Sequence, residues 1–384
     1  MNQTQSSNGI GPVSNQALII IFAALLWLPT FDSLWNLDHC NPPNEKRQLA
    51  SFPGYKSLGN ASTYLVGLEN YFDDHFGFRK RLIRWNNRWK FKIFNESPIS
   101  LALQGNEGWL YWAGDNMLAN YEGTRHFDED TLKDWQKLLE ARRDWITARG
   151  GKYIFVVAPD KQSIYPEYLP EWVAKSSKPL KLDQFLAYMG LHSTVEILDL
   201  RPSLIAAKET GVTFLQTDTH WNNFGAFAAY QRLIETLQNQ LPDLKPIPLD
   251  AFDRKRIVGR GGDLAVCLEQ EDEIQETQQV QFNPRFPLAP IKPLNPASFG
   301  QDMIATAAVT ENPRAVGKTV LFRDSFAEAW IPFLGYNFHE VIYLRQPEWD
   351  KHLLEREKPD VVIDEMVERL FDNQNPEQLL KLDR

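Results

Sequence analysis

The chain has 384 residues, 43% apolar and 24% charged, with a net charge of −9; this excludes wholesale disorder and suits two domains, or one large domain with an extension. An acidic pI of about 5.4 supplies no global basic field, which excludes nucleic acid as a partner. Two cysteines, Cys40 and Cys267, form neither a zinc pattern nor a disulfide framework, and no P-loop or dinucleotide-binding glycine turn is visible, so no cofactor and no metal is expected.

No charged side chain precedes Asp32, and residues 17–28 (ALIIIFAALLWL) are uninterruptedly apolar. This core is shorter than the ~20 residues of a full span, and no small-residue cleavage site follows it. Residues 1–35 are therefore expected to be an uncleaved signal-anchor or transmembrane segment, with the rest of the chain exported; the competing reading is a buried helix of a soluble domain. Residues 36–125 are expected to form a linker and a helical extension packed on the main domain. Within them, 36–60 is rich in Pro, Asn and Gly, and 61–95 carries helix-like spacing at Leu65, Leu68, Tyr71, Phe72, Leu82, Ile83 and Trp89. The same helix holds Arg79, Lys80, Arg81, Arg84, Arg88, Lys90 and Lys92, either a face for anionic lipid or acidic polysaccharide, or a solvated face backed by aromatic packing. Gly105–Gly108 followed by Trp109–Trp112 reads as a turn into a strand.

From 126 to 384 helical and strand patterns alternate. Helices are expected at 130–149, 182–189 and 224–240, and strands at 152–158, 195–199, 319–322, 340–344 and 360–364, which predicts a parallel sheet covered on both faces. The Gln- and Pro-rich stretch 269–315 interrupts the order as an insertion of loops or a hairpin.

In open parallel sheets, sites form at the carboxyl ends of strands, and two segments stand out there. Asp324-Ser325 closes the strand 319–322 ahead of a helix, where backbone N–H groups are free to stabilise an oxyanion; Asp and Ser are equally common helix caps. Thr217-Asp218-Thr219-His220 precedes another helix, so that Asp218 either orients His220 or caps the helix. Together Ser325, His220 and Asp218 supply a nucleophile, a base and an orienting acid. Lys161, Tyr165 and Arg345 follow strands and, with Arg323, are candidate contacts for substrate; for Lys161 and Tyr165 the competing reading is a surface loop fixed by Pro159 and Pro166.

Thr217-Asp-Thr-His-Trp221 with Asp324-Ser-Phe326 resembles the periplasmic alginate O-acetyltransferase family and its SGNH-hydrolase-like domain. The resemblance extends to Tyr71–Arg79, Gly105–Leu110, Ala158–Lys161, Ile164–Pro170, Asp263-Leu264, Lys358–Val362 and Val367–Arg369, over roughly residues 60–384. It implies a three-layer α/β/α domain in circularly permuted motif order. It further implies acetyl transfer to hydroxyls of an exported polysaccharide, with Ser325 as nucleophile, His220 as general base and Asp218 as its partner, and a donor relayed by a membrane acyltransferase. Arg323 stands where the family's Gly-Asp-Ser motif has Gly, and is expected either to crowd the oxyanion site or to lend it positive charge. The backbone N–H groups of Ser325 and Phe326 are the expected oxyanion donors. An exported esterase or deacetylase with the same triad, and a non-catalytic polysaccharide-binding subunit of an export complex, are the alternatives.

Overall fold

The computed structural model describes residues 12–35, 37, 49–54, 61–89, 101–287, 290–293 and 307–383. Cys40, Lys90, Lys92 and most of the 36–60 linker lie outside the described residues. The chain divides into one unit of residues 1–98 with 266–270 and a second of 99–265 with 271–384. Residues 99–125 therefore belong to the larger unit, and the expected boundary at 125 moves to 98.

In the first unit, helix α1 (Pro12–Trp35) contains a stretch, Asn15–Trp35, long and apolar enough to cross a membrane. The single helix expected over 61–95 is two: α2 (Ala61–His75) and α3 (Arg79–Trp89). The break has a local cause. Phe78 takes φ +59°, a conformation that ends a helix run, and Gly77 lies so close to Pro29 that a Cβ there would stand 1.9 Å from its carbonyl oxygen.

In the second unit, β1 (Ala102–Gln104) and β2 (Leu110–Trp112) form an antiparallel pair. The next strands are β3 (Lys152–Ala158), β4 (Ile197–Asp199), β5 (Phe252–Arg260), β6 (Gln275–Pro284), β7 (Ile291–Pro293), β8 (Ala308–Glu311), β9 (Lys318–Phe322), β10 (Glu340–Leu344) and β11 (Val361–Val367). Seven of them make one sheet in the order β4-β3-β11-β9-β10-β8-β7. The first five run parallel, as the sequence pattern predicts. The sheet is nevertheless mixed, because β8 pairs antiparallel with β10 and β7 antiparallel with β8. The 269–315 stretch is thus more than an insertion: it supplies β7 and β8 to the sheet edge and β6 to a separate antiparallel pair with β5. Residues 294–306 lie outside the described residues.

Strand β3 explains the layering. Alternate side chains point to opposite faces: Ile154, Val156 and Ala158 enter one apolar cluster and Tyr153, Phe155 and Val157 the other. Both faces are covered, so the strand reads as continuously apolar. The helix Asn223–Gln238 contributes to the first cluster and the helices Glu129–Thr147 and Lys181–His192 to the second. This α/β/α layering leaves the carboxyl ends of β3, β9 and β11 to carry the site.

Candidate active site

The loop before the helix Asn223–Gln238 is closed on itself. Phe214 bridges Trp221, the Leu215 N–H donates to the His220 carbonyl (3.1 Å) and the Asn222 N–H to that of Thr213 (3.0 Å). The helix cap is Asn222, whose side-chain oxygen accepts from the N–H groups of Phe224 and Gly225. Asp218 is therefore not the cap. Its Oδ1 accepts from the His220 N–H (3.0 Å) and lies 2.7 Å from His220 Nδ1, while Oδ2 accepts from the Asp263 N–H (2.9 Å). Burial opposes the charge of Asp218, but the adjacent His220 ring and these two N–H groups outweigh it and hold the carboxyl at about 2.

On the other side, β9 ends at Phe322, and Asp324, not Ser325, does the capping. Asp324 Oδ1 accepts from the Phe326 N–H (2.8 Å) and Oδ2 from the Val367 N–H at the end of β11 (2.7 Å). The Ser325 side chain makes no capping bond. Its Oγ instead lies 2.8 Å from His220 Nε2. The three groups form one line, Asp218–His220–Ser325, with the imidazole side chain 29% exposed. A neutral imidazole with its proton on Nδ1, held by Asp218, offers the Nε2 lone pair to the serine hydroxyl. The Phe326 ring packs 4.9 Å from the imidazole, and the Trp221 indole donates to the Phe326 carbonyl (3.0 Å), fixing the Ser325–Phe326 turn against the histidine loop.

A second set of residues braces the loop. Thr219 donates through its N–H and Oγ1 to Asp263 (2.7 Å each), and its Oγ1 lies 3.2 Å from His220 Nδ1. Buried Glu276 on β6 accepts from the N–H and Oγ1 of Thr217 and from the Gln216 N–H. Gly262 is required by proximity, since a Cβ there would stand 2.4 Å from Asp218 Cβ. Asp263 is among the residues that carry the family resemblance; Glu276 had no signal, lying in the polar stretch read as an insertion. Asp218, His220 and Asp263 bring ligand-type atoms within 4.8 Å of one another. The bonds given above already engage those atoms, so the arrangement fits proton handling better than ion ligation.

Three expected substrate contacts are corrected. Lys161 is 3% exposed and donates to the carbonyls of Leu110 (2.7 Å) and Gln216 (3.2 Å). Burial pulls its ammonium down to about 8, against the opposing influence of Asp218, Glu276 and Asp263. It ties the backbone next to the Thr217–His220 loop to β2 and does not reach solvent. Tyr165 is buried, its hydroxyl accepting from the Thr213 N–H (2.8 Å), with its ring stacked on Trp109. Arg323 is buried too; it donates to the Asp324 carbonyl (2.9 Å) and faces Glu328 at 3.6 Å. Neither expected role for Arg323, crowding or charging an open oxyanion pocket, fits a guanidinium tied down in this way. Arg345, after β10, is exposed and keeps its place as a candidate contact. The Phe326 N–H is also removed from the oxyanion donors, being held by Asp324; the Ser325 N–H makes no hydrogen bond among the described residues.

Residues 102–292 match the family described as the SGNH hydrolase-like domain of acetyltransferase AlgX. That stretch contains Asp218, His220 and Asp263 and ends before Ser325, so the serine stands on geometry. The probable alginate O-acetylase AlgJ of Pseudomonas syringae pv. tomato is 33% identical over 183 residues, 45% of this chain and 42% of that protein. The one from Pseudomonas fluorescens is 31% identical over 208 residues, 50% of this chain and 48% of that protein. The matched stretch thus spans less than half the length of these curated relatives. Among solved structures, Bacillus cereus PatB1 is similar with a TM-score of 0.53 at 16% identity, over 73% of this chain and 99% of that one, a likeness of fold.

Proposed function

Because the chain belongs to the alginate O-acetyltransferase family with an SGNH hydrolase-like domain, we propose that it transfers acetyl groups to hydroxyls of an exported polysaccharide through an acetyl-serine at Ser325. The observation that carries this reading is the His220 ring held between Asp218 at 2.7 Å and Ser325 Oγ at 2.8 Å.

In the first half-reaction, Ser325 Oγ attacks the carbonyl carbon of an acetyl donor while His220 Nε2 takes the hydroxyl proton. The tetrahedral oxyanion forms beside the Ser325 N–H. Collapse breaks the bond to the donor's leaving group, which receives the proton from Nε2, and leaves the acetyl ester on Ser325. In the second half, a sugar hydroxyl gives its proton to Nε2 and attacks the ester. Collapse returns the proton to Ser325 Oγ and releases the O-acetylated sugar. Asp218 stabilises the imidazolium at both stages. The chain order Asp218, His220, Ser325 follows the permuted arrangement that the family resemblance implies. Helix α1 acts as a membrane anchor, the larger unit works outside the cytoplasm, and a membrane acyltransferase relays the donor.

The test is intact-protein mass spectrometry of the full chain in detergent micelles, incubated with an activated acetyl ester beside Ser325→Ala and His220→Ala. A single acetyl adduct on Ser325, absent from both variants and discharged by oligouronides to give acetylated sugar, is the expected result. Discharge to free acetate with every oligosaccharide would make the enzyme an esterase. A folded protein that binds oligosaccharide and forms no adduct would make it a binding subunit.

A further inference from the structure

Helix α3 has a composition that nothing in the acetyl-transfer site uses. From residue 75 to 95 the sequence holds no Asp or Glu and places cations at 79, 80, 81, 84, 88, 90 and 92. Within α3, Leu82, Trp85 and Trp89 recur at i, i+3 and i+7 and share one side of the helix. All three are exposed, and the two indoles meet edge to face with ring centres 5.9 Å apart. Arg81 and Arg84 follow the same spacing on the adjoining side. A short helix that exposes two Trp and a Leu beside a stripe of Arg side chains is poorly suited to solvation alone. Indoles favour the level of lipid headgroups, and Arg stems reach anionic headgroups from the same depth.

The fold of the smaller unit places this helix at the end of the apolar one. The Asp32 carboxylate, in the last turns of α1, accepts from the Phe78 N–H at 2.6 Å. Gly77 admits the close approach of the Pro29 carbonyl, which any Cβ would block. Arg79, the first residue of α3, also meets Asp74 at 4.0 Å. The turn that starts α3 is therefore fastened to the final turns of α1, and an α1 that enters a bilayer brings α3 to the level of its surface.

We infer that α3 is a surface-lying membrane helix, docking Leu82, Trp85 and Trp89 at the headgroup boundary of an anionic bilayer. The inference rests on the reading of α1 as a membrane anchor and is independent of the chemistry at Ser325. Its consequence is a tether with two points of attachment, which limits how the chain can swing about the end of α1.

The experiment uses the full chain with Cys40→Ser and Cys267→Ser, reconstituted in vesicles of phosphatidylcholine with or without one third phosphatidylglycerol. A nitroxide is placed at Leu25→Cys in α1 or at Asn86→Cys in α3, one turn beyond Leu82, and its access to oxygen and to a water-soluble nickel chelate is measured. In the anionic vesicles, nickel access at position 86 is expected to fall about threefold relative to phosphatidylcholine alone, and to recover in high salt and in Arg81→Glu/Arg84→Glu. The Arg81→Lys/Arg84→Lys pair should keep the protection. Position 25 in the bilayer with position 86 in water under all conditions overturns the inference and leaves the anchor intact. Position 25 in water overturns the anchor, and the two-point tether with it. Protection in phosphatidylcholine only on adding soluble polyuronate overturns it in favour of an acidic polymer.

Discussion

Two of the paired-charge clusters in the larger unit differ in where their contacts end. In one, the Arg142 guanidinium binds Asp383 through Nε and Nη2 (2.8 and 2.7 Å), Asp364 through Nη1 (2.8 Å) and the Pro347 carbonyl (2.9 Å). Asp364 also accepts from the Tyr153 hydroxyl and the Trp349 indole, both at 2.7 Å. Arg142, Asp364 and Asp383 are all buried. In the other, Asp218 is equally well bonded, but the chain of contacts runs outward through a part-exposed imidazole to Ser325 Oγ. The first cluster closes on itself and fixes the C-terminal segment to the helix Glu129–Thr147. The second ends on the Ser325 hydroxyl, whose side-chain partner among the described residues is the His220 ring. Pairing alone does not distinguish structure from chemistry; what does is whether the last group in the chain is committed to another protein atom.

The sharpest way to test this contrast is to change the acid in the outward cluster. Asp218→Asn keeps the size of the side chain, but its amide presents a hydrogen-bond donor to either His220 Nδ1–H or the Asp263 N–H. The transfer rate per folded molecule should fall on the order of 10⁴-fold, the scale of wrong-tautomer losses in other triads, beside a stability loss of about 2–3 kcal/mol from the missing carboxylate. Single-turnover kinetics of acetyl-serine formation measure the first and urea denaturation the second. Because Asp218 titrates near 2, it stays charged down to strongly acid pH. Its contribution to stability is present above the ordinary carboxylate value and is lost only as pH falls from there through about 2.

The next largest effect should come from the inward cluster, with the readouts reversed. Arg142→Ala leaves Asp364 and Asp383 buried without their cation, and breaking such a pair costs about 3–5 kcal/mol of stability. Urea titration should show that loss. Kinetics of the remaining folded fraction should show a near-normal rate per folded molecule. A comparable loss of rate in the folded fraction would erase the distinction between the two clusters.

The sequence made parts of this legible, and for physical reasons. Strand β3 is readable because both its faces are covered, and β10 matches the expected 340–344 because Val341–Leu344 are all buried. β7 and β8 were hidden because they are short and near an edge, where an unbroken apolar run is not needed; β7 even ends in Pro293. Asp218 and His220 are readable as a local pair, two residues apart. Ser325 is joined to them across 105 positions only by its place at a strand end and by the family resemblance, and its Oγ lies 2.8 Å from His220 Nε2. Lys161 was misread because lysine is mostly exposed in proteins. Its burial depends on carbonyls of Leu110 and Gln216, more than 50 residues away in each direction, and no local pattern encodes that.

A smaller effect belongs to a third group lying between the two extremes. Glu368, just after β11, is buried; its Oε2 accepts from the Ser163 hydroxyl (2.7 Å) and the Asp160 N–H (3.1 Å). Burial raises its carboxyl to about 7, helped by the Asp160 charge and opposed by Arg201. An acid whose folded value lies above its unfolded one binds its proton more tightly in the folded state. Stability therefore falls as pH rises from about 4.3 through about 7 and levels off above. Glu368→Gln keeps an acceptor for both donors and cannot ionise. Below about pH 4 it should match the parent, and by about pH 8 it should exceed it by about 3–4 kcal/mol, read from urea titrations across that range. Asp372, also held above its usual value by burial, should leave a residual slope of the same sign in both proteins. Equal slopes in parent and variant would mean that Glu368 is already ionised and neutralised at neutral pH, which would place it with the Arg142 cluster as a closed, fully paired charge.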